Sequence, residues 1–295
     1  MTTNNECVLV TGGSGFVGTQ CIIRCLTAGY RVKTMKTTVR SLERKETVLR
    51  TLQATGAPNA ESVSFVEADL TKEDEAPKDE NDLIIPARDG TLHVLRAARD
   101  AGVKRVVVTS SFAAMGHGHR NRDPTKPFTE EDWTDIDGPG CGAYEKSKTL
   151  AERAAWDFIE KEGGSLELRL LNGAVPGCPN IEFGIVDVRD VADLHLLAMT
   201  HPKAKGERFL RMAPPAMSIK DMALTFHERL GPKARKVPTR TIPNFVLRFL
   251  GLFDSGIALV VPFLNLVQGR MRRLERCSAG TPARMLMRSL PLQKV

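Results

Sequence analysis

Tyr144 and Lys148 stand four residues apart in Tyr144-Glu-Lys-Ser-Lys148, a spacing that puts both on one face of a helix. A lysine ammonium beside a phenol favours the phenolate and lowers the phenol's pKa. Such a tyrosine can give a proton to a carbonyl oxygen, or take one from an alcohol, near neutral pH. Ser111 closes an apolar run from Arg105 to Thr109, and a hydroxyl at the C-terminal end of a sheet strand can hold that same oxygen. A second constellation lies near the N-terminus, where Gly12, Gly15 and Gly18 follow the short apolar strand Cys7 to Thr11. After them Phe16, Val17, Cys21, Ile22, Cys25 and Leu26 recur at helical steps. Strand, glycine turn and helix N-terminus together make a pyrophosphate site, because glycine lets the backbone approach and the helix end offers free N–H groups. Alone, a Tyr–Lys spacing more commonly marks an exposed helix pair, and a glycine triplet marks an ordinary turn as readily as a binding one. Their order along the chain gives them weight.

The elements that must position these groups alternate between strand and helix. A strand from Tyr30 to Val39 closes on Arg40, and the helix Ser41 to Ala54 follows with Ser41 as its cap. Ser62 to Val66 is a third strand, ending at Glu67-Ala-Asp69-Leu70, and Thr71 to Asn81 is a charged loop. A helix from Asp89 to Ala101 stops at Gly102, and the strand Arg105 to Thr109 comes next. Gly116 to Gly142 is loop, Tyr144 to Lys161 is a long helix, and Leu166 to Leu171 is another strand. Beyond Asn172 the pattern weakens to a short strand at Ile185–Val188, a helix capped by Asp190 and running through Met199, and a helix over residues 218–230. Such alternation predicts a Rossmann-like, doubly wound parallel sheet with right-handed crossovers, followed by a small, reduced C-terminal substrate lobe.

Charge and composition exclude several other classes. Of the net charge of +7, residues 270–295 carry +6, so the body of the chain is near neutral. With two Tyr, two Trp and no basic stripe, nucleic acid is not expected as a partner. The six cysteines form no C-x-x-C pair, which argues for a reducing, cytoplasmic compartment. Cys21 and Cys25 share a helix face and read as small buried apolar groups. The polar N-terminus leads straight into the first strand, which predicts no signal peptide. The apolar run Ser255 to Gln268 is only 14 residues long, too short to span a membrane. His117 and His119 read as polar loop residues and no metal site is expected. Trp133 and Trp156 read as packing residues, and Asp190 and Asp193 as structural ones.

The stretches Val10-Thr-Gly-Gly-Ser-Gly-Phe-Val-Gly18, Thr38-Val-Arg40, Ala68-Asp-Leu70, Val107-Val-Thr-Ser-Ser111, Tyr144-Glu-Lys-Ser-Lys148 and Val186-Asp-Val-Arg-Asp-Val-Ala192 occur in this order through residues 6–230. In them the chain resembles the extended short-chain dehydrogenases/reductases, in the dihydroflavonol-reductase-like branch of the NAD-dependent epimerase/dehydratases. The resemblance implies a catalytic triad of Ser111, Tyr144 and Lys148, with Ser110 as structural support. It implies a cofactor held by Gly12, Gly15, Phe16, Val17, Gly18, Arg40, Asp69, Leu70, Tyr144 and Lys148. Arg40 has a physical argument as well. An acid after the second strand would accept from a ribose 2′-OH and select NAD, whereas Arg40 with Lys36 and Arg44 nearby suits a 2′-phosphate. NADP(H) is therefore the expected cofactor, with NAD(H) as the alternative. The implied reaction is reduction of a ketone or aldehyde, the partner a small carbonyl or alcohol substrate, and the assembly a monomer or homodimer. A nucleotide-sugar epimerase or dehydratase is the nearest enzymatic rival, and a cofactor-binding protein without turnover is the rival of another class.

The chain also departs from that pattern. About three extra residues sit around Thr34-Met35-Lys36, and Gly173 follows Asn172 where the family usually has proline. The family's apolar fourth strand has no clear counterpart between Leu70 and Asn81, leaving Leu83-Ile84-Ile85 as the only candidate, although the family pattern places those residues at a helix start. Loss of that strand would leave the first strand without a partner on one side, or bring the Arg105–Thr109 strand directly against it. The expected organisation is a nucleotide-binding domain over residues 1–172, a reduced substrate lobe over 173–269 and a basic, disordered tail over 270–295.

Overall fold

The computed structural model describes residues 8–30, 35–39, 44–67, 79–120, 122–123, 128–173, 182–211, 213–235, 237–240 and 243–250. Strand β1 (Val8–Val10) enters the glycine turn and leads into helix α1 (Phe16–Thr27). β2 (Met35–Val39), α2 (Arg44–Ala54) and β3 (Ser64–Glu67) follow. The apolar steps of α1 bury Cys21, Ile22, Cys25 and Leu26 against Val48 and Leu52 of α2, with Val8 and Val10 packed beneath. Burial pushes the Cys21 thiol up to about 12 and the Cys25 thiol to about 11, as expected of cysteines that serve as apolar filling. Gly29 ends α1 in the left-handed conformation at φ 79°, and Tyr30 N–H donates back to Cys25 O at 3.2 Å.

The second half starts with helix α3 (Asn81–Asp100), strand β4 (Arg105–Ser111) and helix α4 (Ala143–Glu162). β5 (Glu167–Gly173), β6 (Glu182–Ile185), α5 (Val188–Thr200), β7 (Arg208–Leu210), β8 (Ala213–Ser218), α6 (Ile219–Leu230) and α7 (Asn244–Leu250) complete the order. Leu92, Leu95 and Ala98 of α3 and Ala155 and Phe158 of α4 cover one face of β4 and β5, against Val106, Val108, Leu168 and Leu170. On the other face Val107 meets Leu194 and Ala198 of α5 and Phe209 of β7.

The parallel sheet is split. β1, β2 and β3 pair in that order, and β4, β5 and β7 pair in that order, all in parallel. β6 and β8 form a separate antiparallel pair. Among the described residues no ladder joins β1 to β4, so each is the edge of its own half-sheet. Among the described residues β1 has a ladder on one side only; residues 68–78, most of the span in which the fourth strand was sought, lie outside them. Leu83, Ile84 and Ile85 do not supply that strand. They lie in the first turns of α3, as the family pattern has it. The side of the first half-sheet away from α1 is correspondingly bare, with Leu9 56% and Val66 45% exposed.

Several local expectations need correction. α3 begins eight residues before the expected Asp89, its start ordered by reciprocal bonds just ahead of it: Asn81 N–H donates to Asp79 Oδ1 at 2.7 Å and Asp79 N–H to Asp82 Oδ2 at 3.1 Å. Pro86 is tolerated because the residue four back, whose carbonyl loses a donor, lies in the exposed first turn. The strand expected at Ile185–Val188 lies over Glu182–Ile185, and the cap of α5 is Asp187 rather than Asp190. Asp187 Oδ1 accepts from Arg189 N–H at 2.8 Å, so Val188 is already helical. Short strands β7 and β8 and helix α7 had no counterpart in the sequence reading. Residues 270–295 lie outside the described residues.

Among the described residues β5 has a ladder on both sides, whereas β1 and β4 have one each. In native-state hydrogen exchange the β5 amides should therefore outlast those of β1 and β4 by roughly tenfold or more. Equal protection across the three strands would show that the seam is closed by a strand.

Candidate active site

The glycine turn is built by close approach. Gly12 takes φ +65°, a left-handed conformation that a side chain disfavours. Gly15 N–H donates to Gly12 O at 2.9 Å, and Thr19 Oγ1 lies 2.9 Å from the carbonyl oxygens of both Gly13 and Gly15. A Cβ on Gly18 would lie 2.4 Å from Gly12 O, so only glycine lets α1 seat this tightly on the turn. No side chain caps the N-terminus of α1 and its first turn holds no acid. Its amides and the positive end of its dipole are thus arranged for an anion such as a pyrophosphate. Phe16 is 77% exposed at the helix start, and Val17 is half-buried. Arg40, Asp69 and Leu70 lie outside the described residues.

The second constellation belongs to the other half. Ser111 is the last residue of β4 and is buried. Its Oγ accepts from Ala113 N–H at 3.2 Å, which leaves the hydroxyl proton to donate elsewhere. Tyr144 opens α4 and is 37% exposed, and Lys148 follows one turn later, with Nζ 5.6 Å from the Tyr144 ring centroid. Burial lowers the Lys148 pKa. α4 packs against β4 and against the turn at 112–114 that follows Ser111. Thr134 Oγ1 donates to Ala113 O at 2.7 Å, and Arg153 of α4 donates to Thr134 O at 3.4 Å. The helix that carries Tyr144 and Lys148 is thus joined to the strand end that carries Ser111.

Other singled-out residues have structural partners. His119 Nε2 lies 3.0 Å from Met115 O, and no cluster of metal ligands occurs among the described residues. Asp190 pairs with Arg211 at 2.9 Å and Asp193 with Arg24 of α1. Trp133 lies under two guanidinium groups, those of Arg208 at 4.2 Å and Arg153 at 5.3 Å. The sequence reading missed Glu152, a buried acid one turn beyond Lys148 that accepts from Ser110 Oγ at 2.5 Å. The spacing of 144, 148 and 152 was its signal.

Gly18→Ala should cost on the order of 1–3 kcal/mol through overpacking of the turn, read as a lower denaturation midpoint. An unchanged midpoint would show that the turn yields freely and that Gly18 does not set its geometry.

The model of the NAD dependent epimerase/dehydratase family matches residues 8–182, from β1 to the first residue of β6. The chain is 32% identical to a cinnamoyl-CoA reductase of Medicago truncatula, over 69% of this chain and 75% of that one. It is 28% identical to a bifunctional dihydroflavonol 4-reductase/flavanone 4-reductase of Pyrus communis, over 86% of this chain and 82% of that one. The crystal structure of Gre2 in complex with NADPH from Candida albicans superposes with a TM-score of 0.65, covering 97% of this chain and 100% of that one at 21% identity. That likeness establishes the Rossmann fold. Among the described residues no helix is long and apolar enough to cross a membrane. The chain belongs to the NAD-dependent epimerase/dehydratase family, the extended short-chain dehydrogenases/reductases.

Proposed function

We propose that this chain is an NADP(H)-dependent oxidoreductase that reduces a small ketone or aldehyde. The observation that carries the reading is the Tyr144–Lys148 pair at the start of α4, packed beside the strand end that holds Ser111. The cradle at Gly12 and Gly18 and the uncapped start of α1 fit a dinucleotide pyrophosphate. Tyr144, Lys148, Phe16, Val17 and Gly15 would hold its remainder, with Arg40 taking the 2′-phosphate and Asp69 and Leu70 contacting the adenine. When bound, the reduced nicotinamide supplies the hydride for the carbonyl carbon. Ser111 donates a hydrogen bond from its hydroxyl to the substrate oxygen and fixes its position. Tyr144 then gives that oxygen a proton, and the Lys148 cation stabilises the phenolate left behind.

A second reading, in which turnover is weak, is favoured by the lack, among the described residues, of a ladder between β1 and β4. The glycine turn belongs to one half-sheet and the Ser–Tyr–Lys group to the other. A displacement of about 1 Å between reacting groups can cost on the order of a hundredfold in rate. A reduced lobe beyond residue 172 would also leave the substrate with fewer walls.

Tyr144→Phe should lower kcat by roughly 10²–10⁴ while NADPH affinity, followed by fluorescence titration, changes little. Wild-type turnover in that variant would remove Tyr144 as the acid. Arg40→Ala should weaken NADPH binding far more than NADH binding, because guanidinium–phosphate pairing is charge-assisted. Equal losses for the two cofactors would take Arg40 away from the 2′-phosphate.

A further inference from the structure

Tyr144, Lys148 and Glu152 follow one another at single-turn intervals on α4. The first two border the site, whereas Glu152 turns inward and is 2% exposed. Its Oε2 accepts from Ser110 Oγ at 2.5 Å, and its Oε1 meets Arg208 Nε at 2.5 Å. Arg208, on β7, donates from Nη1 to Glu130 O at 2.6 Å and to Asp132 O at 2.9 Å, with its guanidinium 4.2 Å from the Trp133 ring centroid. One carboxylate thereby ties together α4, the end of β4, β7 and the loop before α4. Burial pushes the Glu152 carboxyl pKa up, opposed by Arg208, Ser110 and Trp156.

Stability alone does not call for this arrangement. The neighbouring inward positions of α4 are Ala151, Ala155 and Phe158, and a well-packed apolar residue at 152 would serve stability as well as a buried ion pair does. What the ion pair adds is direction. Ser110 immediately precedes Ser111, so its bond to Glu152 sets the register of the β4 end against the helix that carries Tyr144 and Lys148. We propose that Glu152 is a positioning residue, which through Ser110 holds the Ser111 hydroxyl in place against the Tyr144–Lys148 face of α4. The inference rests on the carbonyl-reductase reading above.

The test uses the full chain, NADPH and a panel of small aldehydes and ketones, with wild type, Tyr144→Phe, Glu152→Ala, Glu152→Gln and Ser110→Ala compared. Glu152→Ala should lower kcat by roughly tenfold or more, in keeping with the steep dependence of rate on geometry, while NADPH affinity stays within about threefold. Glu152→Gln keeps a hydrogen bond to Ser110 and should recover most of the loss. Ser110→Ala should reproduce much of it, and the Ser110→Ala/Glu152→Ala double variant should be no slower than Glu152→Ala, because both break the same link. A Glu152→Ala protein that melts earlier but keeps wild-type kcat per folded molecule overturns the proposal. If Glu152→Ala does not fold, Ser110→Ala decides: unchanged kcat overturns the proposal, since this variant cuts the link without leaving a buried charge. Turnover that is sensitive to Tyr144 but insensitive to Ser110 and Glu152 removes the proposal alone. A wild-type chain without turnover, or a fully active Tyr144→Phe, removes the reductase reading and the proposal with it.

Discussion

Among the described residues, side-chain burial along α5 rather than a backbone ladder joins the two halves of this fold. Leu196 and Met199 pack into the cluster formed by α1, α2 and β1, while Leu194 and Ala198 pack with Val107 and Phe209 of the other half. The hydrophobic effect is non-directional, so such a join tolerates variation in angle that a hydrogen-bonded strand would forbid. The two sides of the helix are not held alike. Toward the second half, Arg105 Nη1 donates to Met199 O at 2.5 Å, and Arg169 donates to Ala198 O and to His201 O, the latter at 3.2 Å. These cations satisfy the last carbonyls of the helix and are themselves balanced by Glu167, at 3.1 Å from Arg105 and 3.0 Å from Arg169. His195 adds a further tie, with Nδ1 2.8 Å from Val191 O and Nε2 2.8 Å from Thr109 Oγ1. Burial lowers the pKa of this ring, which favours its neutral form.

Toward the first half, the polar contribution among the described residues is the Arg24–Asp193 pair. Both side chains are partly exposed, at 40% and 32%, so solvent screening leaves it little strength. α5 is therefore an integral part of the β4–β5–β7 half, and the β1–β2–β3 half is attached to it mainly by apolar contact. The bare Leu9 and Val66 lie on that same attached half.

This asymmetry maps onto the chemistry. The groups that would handle the substrate oxygen lie together in the well-tied half, where α4 is anchored to β4 through Thr134, Arg153, Ser110 and Glu152. The glycine turn lies in the other half, rigid within itself through the Gly12, Gly15 and Thr19 bonds. Each half of the site is locally well defined, and among the described residues α5 packs against both. Similarity to the NADPH-bound Gre2 structure at a TM-score of 0.65 shows that the overall Rossmann path persists around the seam.

What was legible in the sequence was local. Gly12 and Gly18 announce the turn because a left-handed backbone at one and a close approach at the other leave no room for a side chain, and the apolar run at Arg105–Ser111 announces a strand because helices cover both of its faces. Tyr144 and Lys148 were readable as a pair because the helix itself brings them together. Caps were less legible. Asp187 and Asp190 are both plausible starts for α5, and Asp79 sits in a charged run that reads as loop until its carboxylate is seen accepting from Asn81 N–H. Residues whose meaning comes from distant partners were harder to read. β7 is three residues with a buried arginine at its head, and β8 carries two prolines that argue against a strand until β6 lies beside it. Glu152 looks like a surface acid of a polar helix, and only Arg208, 56 positions on, and Ser110, 42 positions back, make it an interior one. The seam is the extreme case. The lack of an apolar run was visible in the sequence, but that no ladder joins β1 to β4 among the described residues, and that α5 packs against both halves, is a property of surfaces that meet only when the chain has folded.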